Sequence, residues 1–145
     1  MFDELNKYKK SGNFFFRATD SLTEVSNVPA NRYGVYLVYA LCKGRVELIY
    51  IGRSGVPPKD QQPAAKAKNI VDLKRDIIDG LQFGETERKN AWPIQMMVED
   101  IDALHVHWYV TVDKKNDDLP SYMRTKIMQI YQSIYGKRPR WNSGI

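Results

Sequence analysis

Two runs rich in β-branched and aromatic residues, separated by four residues, constrain most strongly what this chain can fold into. Residues 33–41 and residues 46–51 both have the composition of buried strands. The connection between them, Cys-Lys-Gly-Arg at residues 42–45, is too short for a crossover between parallel strands. We therefore predict that the two strands form an antiparallel hairpin.

The remaining periodic segments predict helices and one more strand. Apolar residues at helical spacing predict a helix over residues 69–81 and another over 119–135, with a short helix over 92–98 that begins near Pro93. Residues 103–113 alternate apolar and polar side chains, which predicts a half-buried third strand. The fold class we predict is α/β in the α+β sense: a small three-stranded antiparallel sheet flanked by helices, in the order β-β-α-(α)-β-α.

The 145 residues suit one main domain. Residues 1–32 are polar and mixed except for three consecutive phenylalanines, so we interpret them as an N-terminal extension packed on a domain that spans residues 33–145. The lone Cys42 excludes an internal disulfide framework and a multi-cysteine zinc site. The apolar runs are too short to cross a bilayer and no secretory signal is recognisable, so we expect a cytoplasmic protein with no membrane partner.

Positive charge is concentrated in one stretch of the chain. The 22 Lys and Arg residues exceed the 17 Asp and Glu residues by a formal net charge of +5. Between Tyr50 and Arg75, six basic residues stand against two acidic ones, and further basic residues lie in the C-terminal tail. Such clusters suit a nucleic-acid backbone. The residues that we expect to contact phosphates are Arg53, Lys59, Lys66, Lys68, Lys74 and Arg140.

Two tripeptides stand on the two hairpin strands. Gly-Val-Tyr occupies residues 34–36, Tyr-Ile-Gly occupies residues 50–52, and Pro-Arg-Trp-Asn follows the last helix at residues 139–142. Together with the predicted order of elements, these motifs resemble the GIY-YIG nuclease family, with Val in place of Ile in the first tripeptide. The resemblance covers roughly residues 33–142.

The resemblance implies Mg²⁺-dependent hydrolysis of DNA phosphodiester bonds. In the family, a tyrosine helps to deprotonate a metal-bound water, an arginine of the first helix steadies the phosphate, and a glutamate of the last helix holds one divalent cation. Carried over to this chain, the resemblance implies Tyr36 and Tyr50 as catalytic tyrosines. It also implies Gly34, Gly52 and Asn142 as structural residues near the site.

The charged positions depart from the family pattern. On the first helix, Asp76 stands where the arginine is expected; a one-residue shift gives Arg75, which we favour as the catalytic arginine, and helical periodicity instead points to Lys74. On the last helix, Arg124 stands where the glutamate is expected, and its permanent charge cannot bind a cation. We therefore assign no metal ligand. One alternative is a charge exchange, with a salt bridge between Asp76 and Arg124 in place of the metal.

Three functions are left open by the sequence: a Mg²⁺-dependent endonuclease, a non-catalytic nucleic-acid-binding module, and a protein-interaction domain on the same scaffold. Arg124 separates the first from the second, and the salt dependence of DNA binding separates the second from the third. His105 and His107 share one strand face at a spacing that can serve a metal. With no third ligand near them in sequence, we interpret them as packed or surface histidines.

Overall fold

The computed structural model describes residues 1–57 and 71–142, and strands and helices alternate along it. The strands are β1 (Ser11–Phe16), β2 (Tyr33–Cys42), β3 (Arg45–Arg53), β4 (Leu81–Gln82), β5 (Thr86–Glu87) and β6 (Ala103–Val112). The α-helices are α1 (Leu22–Val25), α2 (Leu73–Asp79), α3 (Arg88–Glu99) and α4 (Pro120–Tyr135), and short 3₁₀ turns cover Asp3–Lys7 and Arg140–Asn142. No helix in this part of the chain is long and apolar enough to cross a membrane.

The predicted hairpin is the centre of the fold. β2 and β3 pair antiparallel, and the connecting residues Lys43 and Gly44 both have positive φ, 49° and 77°. Positive φ at both positions is the geometry of a type I′ turn, whose twist matches that of the flanking strands. β6 pairs antiparallel with the other edge of β2, so β2 has a strand neighbour on each side.

The sheet has four strands, so the prediction of three was wrong. The order is β1-β6-β2-β3, and the N-terminal segment supplies the edge strand β1. Because residues 14–16 are all phenylalanine, the sequence does not show the alternation of apolar and polar residues that predicts a strand. Phe14 and Phe16 are buried, whereas Phe15 between them is 55 % exposed. A period of two was present, with an apolar residue on the solvent side.

Helices cover both faces of the sheet. On one face, α2 and α3 bury Leu73, Ile77 and Trp92 against a core that includes Tyr36. On the other face, α4 packs its apolar stripe against alternate residues of β2 and β3. Successive side chains of a strand point to opposite faces, so burial of β2 on both sides explains its nearly continuous apolar sequence.

The helix boundaries differ from the predictions where local signals misled. Of the helix predicted over residues 69–81, residues 69 and 70 lie outside the described residues, and within residues 71–81 α2 covers only Leu73–Asp79. α4 begins one residue after the predicted start at residue 119. α3 begins at Arg88, five residues before Pro93, which lies inside the helix. Proline marks a helix start only as a preference, and here burial of Arg88 and Trp92 anchors the first turns ahead of it.

Candidate functional site

The hairpin brings the two predicted tyrosines together on one face of the sheet. The register pairs Tyr36 with Gly52 and Val38 with Tyr50, which makes the two rings diagonal neighbours with centroids 6.0 Å apart. A Cβ atom on Gly52 would lie 2.2 Å from Cζ of Tyr36. Glycine at this position therefore lets the Tyr36 ring cross directly over the neighbouring strand.

Gly34 and Ser54 fix the end of the hairpin next to the tyrosines. A Cβ atom on Gly34 would lie 1.8 Å from the backbone oxygen of Tyr109, so only glycine fits between the strands. The hydroxyl of Ser54 accepts the N–H of Gly34 at 2.9 Å and donates to the backbone oxygen of Gly55 at 2.8 Å. These bonds hold the backbone that follows the Tyr-Ile-Gly tripeptide.

Asn142 and Arg124 form hydrogen bonds with backbone groups on the edge of β3 that does not face β2. The side chain of Asn142 accepts the N–H of Ile51 at 2.8 Å and donates to its carbonyl oxygen at 3.0 Å, which reproduces the pairing of a neighbouring strand. Nε of Arg124 donates to the same carbonyl oxygen at 3.1 Å. The C-terminal motif and α4 therefore meet at the middle residue of the second tripeptide.

An ion pair between buried Arg88 and half-buried Asp76 lies beneath the tyrosines. The hydroxyl of Tyr36 donates to Oδ2 of Asp76 at 2.7 Å, and Nη1 of Arg88 lies 3.4 Å from the same oxygen. Arg88 also donates through Nη2 to the hydroxyl of Tyr50 at 3.0 Å and through Nε to Gln82 at 2.9 Å. The guanidinium thus connects α2, the β3 strand and the β4–β5 hairpin, and Arg88 is only 5 % exposed.

The ionisation of this cluster is set mainly by burial. Burial raises the pKa of Asp76 above its usual range, although the charges of Arg88, Arg53 and Arg124 and the Tyr36 hydrogen bond act against it. Burial also raises the pKa of Tyr36 well above that of a free phenol. Burial lowers the pKa of Arg88, but Tyr36, Tyr50 and Asp76 together bring it above its ordinary value. Tyr36 is therefore a hydrogen-bond donor at neutral pH, and Arg88 is charged.

Tyr50, Asp76 and Arg88 line a cavity of about 390 Å³, which we call the tyrosine pocket. It is lined by Tyr50, Arg53, Ser54, Gly55, Val71, Asp76, Arg88 and Arg124. Three of the lining side chains are guanidinium groups and one is a carboxylate. That carboxylate already accepts a hydrogen bond from Tyr36 and pairs with Arg88. The pocket therefore presents a surplus of positive charge to a ligand.

The other predicted site residues lie elsewhere. Arg75 is exposed on α2 and Lys74 is partly buried there, and the lining of the pocket includes neither. Arg140 pairs with Glu47 and Glu99 beside a different cavity. Lys59, Lys66 and Lys68 fall outside the described residues. The structure thus brings together Tyr36, Tyr50 and Arg53, with Gly34, Gly52 and Asn142 adjoining them.

The described residues do not contain the salt bridge between Asp76 and Arg124 that the charge exchange would require. Asp76 and Arg124 do line the same pocket, but within residues 1–57 and 71–142 the ion-pair partner of Asp76 is Arg88. Arg88 was missed because its segment has the composition of a charged loop. The only sequence signal for its burial is that it lies three and four residues before the apolar residues Ala91 and Trp92, which is helical spacing.

The donor set of the pocket does not suit Mg²⁺. This ion prefers several carboxylate, phosphate or water oxygens in octahedral geometry. Among residues 1–57 and 71–142, Asp76 is the single carboxylate in the lining, it is already bonded, and three guanidinium groups share the lining with it. Among the described residues, no group of three or more His, Cys, Asp and Glu is placed to hold a metal ion. Cleavage with Mg²⁺ stays a prediction from the sequence.

The two histidines on β6 lie on the opposite face of the sheet from the pocket. Nε2 of His107 lies 3.2 Å from Nδ1 of His105, whose ring stacks on Phe15 with centroids 4.0 Å apart. Burial lowers the pKa of both histidines, so both rings are neutral at pH 7. They form part of an aromatic cluster on the sheet surface.

Comparisons of the chain with protein-family models, with curated proteins and with solved structures found no match. The resemblance to the GIY-YIG family therefore rests on the motifs and their placement alone.

Proposed function

We propose that this chain is a GIY-YIG-like module that binds nucleic acid by holding a backbone phosphate in the tyrosine pocket, without Mg²⁺-dependent cleavage. The observation that carries the proposal is the lining of the pocket: within the described part of the chain, three guanidinium groups converge on one cavity whose single carboxylate is already engaged. Guanidinium groups match phosphate oxygens in shape and charge and bind them with paired hydrogen bonds.

Arg53 and Arg124 supply the charge for the phosphate. Each side chain donates one hydrogen bond to a backbone carbonyl oxygen, Arg53 to that of Ser54 at 3.2 Å and Arg124 to that of Ile51 at 3.1 Å. Neither forms a salt bridge with a carboxylate of residues 1–57 or 71–142. Their backbone bonds orient the side chains, and their remaining N–H groups are available to an anion.

The two tyrosines have different roles in this arrangement. Tyr36 donates a hydrogen bond to Asp76 and is fully buried, so it positions the carboxylate beneath the pocket. Tyr50 accepts a hydrogen bond from Arg88 and lines the pocket itself. The hydroxyl hydrogen of Tyr50 is therefore free to donate to a phosphate oxygen, which makes Tyr50 a ligand-contacting residue and Arg88 its positioning residue.

The test is binding of a fluorescent DNA duplex of about 16 base pairs, followed by anisotropy. The pocket holds one phosphate, so we expect its own contribution to be a fall in affinity of about 3.5-fold between 50 and 200 mM salt. Arg124→Glu should weaken binding at least tenfold, because it reverses a charge inside the pocket. The matched control is Arg17→Glu, which makes the same change of charge away from the pocket. Arg17 directly follows Phe16, the last residue of β1.

Three outcomes contradict the proposal. Arg124→Glu and Arg17→Glu with equal affinities would remove the pocket as the binding site. No DNA binding by the wild-type chain at low salt would favour a protein partner. Nicking of plasmid DNA by wild-type protein in Mg²⁺, abolished by Tyr36→Phe, would show that the site is catalytic.

A further inference from the structure

A second cluster of basic side chains surrounds a cavity of about 390 Å³ that contains none of the residues of the tyrosine pocket. We call it the basic cleft, and its lining residues are Lys9, Lys10, Arg32, Lys114, Lys115 and Asp113. Five of the six side chains are cationic. The residues come from three separate parts of the sequence, so no charge run reveals the cluster.

The topology of the sheet puts the basic cleft and the tyrosine pocket at the same end of the sheet. β1 and β2 begin there, and their antiparallel neighbours β6 and β3 end there. The pairings that define this end are Ser11 with Tyr109, Tyr33 with Val112, and Val35 with Arg53. From β1 to β3 the sheet spans three inter-strand distances, or about 14 Å.

The charges of the basic cleft are available to a ligand. Asp113, the one acidic residue of the lining, accepts the backbone N–H groups of Lys115 and Asn116 at 2.8 Å each and thereby shapes the turn after β6. Within residues 1–57 and 71–142, none of the five basic side chains forms a salt bridge. All but Arg32 are exposed, and the charge of Asp113 acts on Arg32 and Lys10 but does not balance five cations.

We infer that the basic cleft is a second phosphate-contacting surface, over which a DNA duplex held at the tyrosine pocket continues. The inference rests on the proposed function. One strand of a duplex presents a phosphate every 3.4 Å along the helix axis, so about four phosphates fit within the 14 Å between β1 and β3. The lysines of the cleft hold these phosphates as mobile point charges, whereas the arginines of the pocket hold one phosphate in a fixed geometry.

The test compares two double variants that carry the same change of charge. Lys114→Glu with Lys115→Glu alters the cleft, and Lys43→Glu with Arg45→Glu alters the turn at the opposite end of the sheet. All four side chains are exposed, and thermal unfolding verifies that each protein is folded. Binding of a duplex of about 16 base pairs is measured at several salt concentrations.

We expect the cleft variant to bind at least tenfold more weakly than the turn variant. Its slope of log affinity against log salt should fall by about 1.8, because two phosphate contacts are lost. Equal affinities of the two variants, with Arg124→Glu still impaired, would overturn the cleft and leave the pocket standing. Loss of binding in the cleft variant but not in Arg124→Glu would show that DNA does not contact the pocket. This result would overturn the inference that one duplex contacts both the pocket and the cleft. Absence of binding by wild-type protein would overturn both proposals.

Discussion

The tyrosine pocket and the basic cleft are both basic but hold their charge in opposite ways. In the pocket, Arg88 is 5 % exposed and is bonded to Asp76, Tyr50 and Gln82. In the cleft, Lys114 and Lys115 stand in solvent. A buried charge must be matched by partners, because its loss of hydration costs several kcal/mol, whereas an exposed charge contributes almost nothing to stability. The pocket is therefore tied to the fold, and the cleft can serve affinity alone.

The largest expected effect comes from replacing the buried guanidinium. Arg88→Met should lower the free energy of unfolding by about 3–4 kcal/mol, because the half-buried carboxylate of Asp76 loses its ion partner and Tyr50 and Gln82 lose a buried hydrogen-bond donor. Lys114→Met, the matched change in the cleft, should alter it by less than about 0.5 kcal/mol. Urea denaturation measures both values. Similar values for the two variants would contradict the division between structural and solvated charge.

A smaller effect is expected from closing the space above Gly52. Gly52→Ala places a Cβ atom 2.2 Å from Cζ of Tyr36, so the ring or the strand must move. We expect a loss of about 2–3 kcal/mol in the free energy of unfolding. In a Tyr36→Val background the same substitution should cost much less, because the obstructing ring is absent. Additive losses in this double-mutant cycle would show that Gly52 serves some other purpose.

The smallest effect concerns the proton of Tyr36. Tyr36→Phe removes the hydrogen bond to Asp76 and should lower the free energy of unfolding by about 1.5 kcal/mol at neutral pH. Because the pKa of Tyr36 is raised by folding, its contribution is complete below pH about 10 and declines as the pH rises toward the folded pKa. The free energy of unfolding should therefore fall less steeply above pH 10 in Tyr36→Phe than in the wild type. Parallel alkaline curves would contradict the raised pKa.

Much of the fold was predictable because its elements carry local patterns. The hairpin prediction is confirmed, the strand predicted at residues 103–113 is β6 (Ala103–Val112), and the helix predicted at 119–135 is α4 (Pro120–Tyr135). The mixed α+β class with an antiparallel sheet is also confirmed. β1 escaped prediction because Phe15 breaks the apolar-polar alternation with an exposed aromatic side chain.

The charged part of the site was less predictable because short helices carry weak directional signals. α2 has seven residues, and Arg75 and Asp76, which are adjacent residues of this helix, point in directions about 100° apart around the helix axis. Which of them faces the pocket depends on how the helix docks against the sheet. Arg88 enters the site only because the β4–β5 hairpin and the first turn of α3 bring it back over Gly80, where a Cβ atom would collide with its guanidinium.

The sequence by itself determined that the two tyrosines lie on adjacent strands, because the turn between these strands is short. The register shift between Val38 and Tyr39, which no local pattern records, places Tyr36 and Tyr50 on one face of the sheet. Only the tertiary structure decided the charges, because Asp76, Arg88 and Arg124 reach one pocket from three helices whose docking no local pattern records. The same holds for the basic cleft, which three distant segments form at the end of the sheet. Backbone periodicity is local, whereas the electrostatics of a pocket depends on how separate elements pack together.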